Sequence, residues 1–147
     1  MKTLSFALML MAILMVGCSG DENDAVGSTQ GPAQPRAGDW KVATRFGEFV
    51  FTVNATGTQV TKLVTTFSSY TFGGVTQNGT ITTTPSPGWS ITTSQFTINK
   101  SVNPTGTITM TINGTFAQSG DQASGSWSIK VSGSTDTANW GPVKVGS

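Results

Sequence analysis

The sequence predicts an all-β fold: an antiparallel β-sandwich of about seven to nine strands filling residues 39–147. Three observations predict it. Apolar residues beyond Gly38 recur at every second position, turn residues interrupt them at intervals of roughly eight to twelve, and threonine crowds the positions between. Alternation of period two gathers apolar groups on one face of a strand but scatters them around a helix. One-sided alternation belongs to antiparallel sheets with a dry face and a wet face. No segment shows helical periodicity.

The elements follow in order. Trp40 and Val42 alternate, then Phe49, Phe51 and Val53, and a turn is expected over residues 54–57. Residues 60–67 make a further strand whose alternation breaks near Lys62-Leu63-Val64, for which a β-bulge is one explanation. Residues 80–84, 89–93 and 95–98 read as shorter strands, separated by Pro85-Ser86-Pro87-Gly88 and by a bend near Ser94. Pro104-Thr105-Gly106 marks a turn.

The clearest hairpin comes next. Ile108, Met110, Ile112 and Phe116 share one face with Gly114 among them, while Thr107, Thr109, Thr111, Asn113 and Thr115 take the other. After a loop over 117–122, Ala123, Trp127, Ile129 and Val131 alternate with Ser124, Ser126, Ser128 and Lys130. Strands this numerous suggest a sandwich, with a barrel as the alternative. Such a domain buries roughly 65% of its unfolded surface, enough for one core without cross-links. Trp40, Phe49, Phe51, Phe67, Phe96, Phe116 and Trp127 are the expected centre of that core.

The N-terminus has a different texture. Lys2 precedes an unbroken apolar run over residues 6–16, and the only cysteine is Cys18. A helix of that length covers about 20 Å, against about 30 Å of hydrocarbon, so a cleaved signal suits residues 1–17 better than a membrane span. Met15-Val16-Gly17-Cys18 resembles the lipobox of bacterial lipoproteins, with Met15 at the place that family prefers to fill with Leu. The resemblance implies cleavage before Cys18, acylation of its thiol, and a cell-envelope location held to the membrane by a lipid anchor. A single cysteine forms no internal disulfide, and acylation removes an oxidisable thiol from an exported chain. Residues 18–38 are then a flexible tether, rich in Gly, Ser, Pro and Gln, with Asp21, Glu22 and Asp24 and a span of about 25 Å. In two-membrane bacteria, lipoproteins with a residue such as Ser19 rather than Asp after the cysteine are generally passed to the outer membrane. The acidic cluster is also similar to the export signals of some surface lipoproteins, although a solvated spacer is the plainer reading. A second resemblance rests on Ile112-Asn113-Gly114-Thr115-Phe116, Ala123-Ser124-Gly125 and Trp140-Gly141. This pattern is similar to secreted bacterial β-sandwich domains of unknown function, and it implies a fold without implying an activity.

Composition excludes more chemistry than it suggests. Of eight Lys and Arg, one is Lys2, leaving seven to face seven Asp and Glu from residue 18 onward. A balanced surface offers no footprint for nucleic acid. The chain has no histidine, which removes the usual general base and the commonest transition-metal ligand. No Ser-x-x-Lys occurs in the β-rich region, whose carboxylates are Asp39, Glu48, Asp121 and Asp136. The loops Ser119-Gly120-Asp121-Gln122 and Ser134-Thr135-Asp136 bring one carboxylate each, too few for calcium. The expectation is therefore no enzyme, no metal and no cofactor.

Carbohydrate binding is the specific alternative, because sugars are held by aromatic platforms beside hydrogen-bonding side chains. Trp89 follows a Pro-Gly turn, Trp140 precedes Gly141-Pro142, and Tyr70 lies between Ser69 and Thr71, so these three are the candidate ligand-binding residues. Burial in the core is the competing role for either Trp. The ladder Thr107-Thr109-Thr111 is similar to the flat faces of ice-binding proteins, and is also what an exposed strand ordinarily contains. Asp136-Thr137-Ala138 resembles a short O-glycosylation acceptor of some envelope proteins. The function expected is a lipid-anchored, non-catalytic binding or structural module, with a carbohydrate-binding or adhesin-like module as alternative and a glycan-acting enzyme behind both. An envelope protein is the other partner class that this leaves.

Overall fold

The computed structural model describes residues 34–103 and 105–146. The signal, Cys18 and the first part of the tether lie outside the described residues, as does Pro104 of the expected turn. No helix occurs among the described residues. Nine strands form two antiparallel sheets: β1 (Gly38–Thr44), β2 (Gly47–Val53), β3 (Gln59–Phe72), β4 (Val75–Thr83) and β5 (Trp89–Ser90), then β6 (Gln95–Ser101), β7 (Ile108–Phe116), β8 (Gln122–Val131) and β9 (Ser134–Lys144). The first sheet runs β1-β2-β3-β4, with β5 pairing the start of β3, and the second runs β6-β7-β8-β9. The second sheet is a meander, as is β1–β4 of the first; β5 departs from it by pairing β3 instead of its sequence neighbour β4.

The two sheets face one another across a core that contains every aromatic expected there, and their edge strands β1 and β9 meet along a seam. There Trp40 of β1 bridges Val145, just beyond β9, and the Gly146 N–H donates to Asp39 O at 2.9 Å. Phe51 is the centre of the core. Its ring lies 5.9 Å from Trp40 in a stack, 4.9 Å from Phe96, 6.4 Å from Phe49 and 5.9 Å from Trp140.

Two inward glycines shape the second sheet. In register, Phe96 opposes Gly114, Gly114 opposes Gly125, and Gly125 opposes Trp140, so one row across four strands reads large, small, small, large. A Cβ on Gly114 would come within 2.2 Å of the Phe96 ring, closer than any real contact. On Gly125 it would overlap the Asn113 carbonyl and come within 2.8 Å of Trp140 Cζ2. The rings therefore lie over the glycines and reach the Phe51 layer of the opposite sheet. This gives a packing reason for Gly114, Gly125 and Trp140.

Several elements differ from expectation. The alternation break is a bulge as proposed: Lys62 opposes Thr52 and Val60 opposes Val53, leaving Thr61 as the extra residue. β3 then runs on to Phe72, through a second irregularity where the Ser69 N–H donates to Asn78 Oδ1 at 2.7 Å. It turns at Gly73-Gly74, whose φ values of 57° and 75° suit a two-residue hairpin with the twist of its strands. β9 was not legible as a strand. Its inward residues are Asp136, Ala138 and Trp140, an alternation without the usual aliphatic signal.

The tether boundary also moves. Residues 34–37, which composition places in the flexible spacer, strap across the end of the sandwich. The Arg36 N–H donates to Gly120 O at 2.9 Å, and Trp40 Nε1 donates to Arg36 O at 3.2 Å. Pro35 is buried where Gly57 and Gly120 leave room, and a Cβ on either glycine would collide with the Gln34-Pro35 backbone. Among the described residues, 34–37 thus pack with the domain ahead of Asp39.

Candidate functional site

The outer faces of the two sheets share a fold and differ in chemistry. On the first sheet, Lys41 pairs with Glu48 at 2.8 Å, the Thr52 hydroxyl donates to Asp39 Oδ1 at 2.5 Å, and Thr66 and Thr80 share a hydrogen bond of 3.2 Å. Val50 and Val64 stand between these groups in register. That face is charged, but its charges are largely answered by one another.

The second sheet presents rows of uncharged polar groups. Register aligns Ser101, Thr109, Lys130 and Thr135, then Asn99, Thr111, Ser128 and Thr137, then Thr97, Asn113, Ser126 and Asn139, and finally Gln95, Thr115 and Ser124. Lys130 is the one ionisable group within these rows, and no carboxylate enters them. Lys144 stands opposite Gln122, beyond the irregularity in β9. Few of the side chains are used internally: the Thr97 hydroxyl donates to Asn113 Oδ1 at 2.9 Å, Ser101 Oγ donates to Asn103 O at 2.9 Å, and Thr137 Oγ1 donates to Trp127 O at 2.8 Å. The remaining hydroxyls and amides point to solvent. An open groove of about 420 Å³ lies at the Lys130 corner, lined by Gly106, Thr107, Thr109, Lys130, Ser132 and Gly133.

A second cluster joins the sheets at the end away from the strap. Arg45, in the β1–β2 turn, donates from Nε to Asp136 Oδ2 at 3.0 Å and from a terminal nitrogen to Thr137 O at 3.1 Å. The same guanidinium stands 5.2 Å from the Trp127 ring centroid, a cation–π contact. The Tyr70 hydroxyl donates to Asp136, so one carboxylate from β9 receives partners from two elements of the other sheet. Burial pushes the Tyr70 phenol above its ordinary value of 10.0, and the Arg45 charge offsets part of that rise. A raised phenol pKa means that the stability it contributes is complete below pH 10 and is lost as pH climbs through the higher folded value. Tyr70 is the only tyrosine of the chain, so its phenolate absorbance reports this directly. The expected midpoint lies above that of the same chain in denaturant, and coincident midpoints would refute the buried phenol.

The candidate ligand-binding residues do not share one face. Trp140 is 5% exposed, with its ring edge-on to Phe49 at 5.7 Å, so the glycan platform loses this member to the core. Its Nε1 is buried without a hydrogen-bond partner among the described residues. Trp89 is half-buried and pairs with Val60 near the strap end. Tyr70, also half-buried, lies ten residues further along the same strand, roughly 30 Å away at strand rise. Its hydroxyl is engaged by Asp136. Three aromatics that looked alike in sequence therefore have three separate environments. Cys18, the lipidation candidate, lies outside the described residues.

The carboxylates are dispersed as well. Asp39 accepts from Thr52, Glu48 pairs with Lys41, Asp136 accepts from Arg45 and Tyr70, and Asp121 accepts from the Ser119 hydroxyl. That hydrogen bond holds the Asp121 carboxyl below its ordinary pKa, with Arg36 and Lys144 adding to the effect. No group of three or more His, Cys, Asp or Glu side chains that could hold a metal occurs among the described residues. Thr137 of the glycosylation-like triplet lies in mid-strand with its hydroxyl already donated to Trp127 O. The sequence signal for this polar face was the plainest one, the Ser and Thr at alternate positions of β7 and β8. No family model, curated protein or solved structure matches this chain.

Proposed function

We propose that this chain is a lipid-anchored protein of the cell envelope, cleaved before Cys18 and acylated there, whose β-sandwich is a non-catalytic binding or structural module. In a two-membrane cell the Ser after the cysteine favours the outer membrane. The observation that carries the modular reading is the outer face of the second sheet: hydrogen-bonding groups in register, without carboxylates and largely unused by the fold. Such a face suits adhesion to a hydrated partner rather than group transfer. Its extent also favours glycan recognition over a protein partner, because it lacks the apolar centre usual in protein interfaces. The aromatic trio gives this reading no support as a joint platform.

The anchor is tested by Cys18→Ser and cell fractionation. The parent is expected in the membrane fraction and the variant in the soluble fraction. A variant that sediments with membranes as completely as the parent would exclude acylation as the anchor.

A further inference from the structure

We infer that the outer face of β6–β9 is a docking surface for an acidic polysaccharide, a hydroxylated polymer carrying uronate carboxylates, with Lys130 as the group that reads the charge. This deepens the glycan reading of the proposed function and rests on it. Hydroxyl and amide side chains supply donors and acceptors together, as a polyol demands. Asn113 shows the arrangement: its carbonyl oxygen accepts from Thr97 at 2.9 Å, which leaves its amide N–H groups for a partner. On the other sheet the outer Asp39, Lys41 and Glu48 are paired with neighbours, the two valines Val50 and Val64 interrupt the polar groups, and Lys62 stands exposed beside Thr52.

Charge selects the class of polymer. Among the described residues Lys130 has no ion pair or hydrogen-bond partner, it is exposed, and it opens on the groove of about 420 Å³ beside Thr107 and Thr109. No carboxylate stands in the four rows to repel an anionic chain. A lone ammonium amid neutral groups rewards a ligand with sparse negative charge on a hydroxylated frame. A densely anionic nucleic acid would need many cations, because its affinity grows with each phosphate neutralised.

The test uses the full chain in detergent micelles against immobilised, largely methyl-esterified polygalacturonate that keeps scattered free carboxylates (the acid form) and the same polymer fully methyl-esterified. Binding to both is expected, tighter to the acid form, with the difference removed by salt. Lys130→Ala should weaken binding to the acid form about fivefold, the scale of one exposed ion pair, and leave the ester unchanged. Ser128→Leu, in the middle of the face, should weaken both. Lys62→Ala, on the other sheet, should change neither. Absence of binding to both polymers, or an equal loss from Lys62→Ala and Lys130→Ala, overturns the inference. The outcome does not depend on the anchor, so a Cys18→Ser protein that stays with membranes would refute the anchoring alone.

Discussion

Phe51→Ala is expected to cost about 3–5 kcal/mol, the range for removing a fully enclosed phenylalanine. The ring is 0% exposed and touches aromatic rings from both sheets: Trp40, Phe49, Phe96, Phe116 and Trp140. Its neighbours are held by the backbone register of four other strands, so they cannot collapse into the space. Against a total of about 5–15 kcal/mol for an ordinary domain, that is a large fraction of the stability. Urea denaturation measures it, and a midpoint within about 1 kcal/mol of the parent would show that the core is not organised around this ring.

The glycine row predicts the second large effect, with a distinctive pattern of rescue. Gly114→Ala and Gly125→Ala each force a methyl into occupied space and should cost about 1–3 kcal/mol or more. Their obstacles differ. At Gly114 the nearest atoms all belong to the Phe96 ring, so in a Phe96→Ala background the added methyl should be nearly free. At Gly125 the first obstacle is the Asn113 carbonyl, a backbone atom, and Trp140 is only the second. Gly125→Ala should therefore remain costly in a Trp140→Ala background. Double-mutant cycles in urea separate the two cases. Equal rescue at both positions would mean that side chains alone set the row.

What the sequence disclosed follows from where physical signals are strong. Strands buried on one face announce themselves by alternation, so β2, β7 and β8 and the aromatic core were legible. Trp40, Phe49, Phe51, Phe67, Phe96, Phe116 and Trp127 are all buried. Phe46 escaped notice because it sits in the β1–β2 turn, where periodicity gives no guidance, yet it is fully enclosed and 4.9 Å from Trp127. β9 was missed because its inward positions include a carboxylate satisfied by Arg45 and Tyr70, contacts from residues 91 and 66 positions away. Only tertiary structure brings such partners together. The same holds for the candidate site. Alternating Ser and Thr were visible along each strand, but the plane they form depends on register between four strands. Trp140 looked like a loop aromatic beside Gly-Pro, and the glycine that receives its ring lies fifteen residues earlier.

The strap of residues 34–37 decides how traction through the N-terminus would enter the domain. Tension arriving at Gln34 would load the Arg36–Gly120 hydrogen bond and the Pro35 wedge before the start of β1. Those contacts span the Gly57 turn of one sheet and the Gly120 loop of the other, so a tug would draw the sheets together at that end instead of peeling an outer strand.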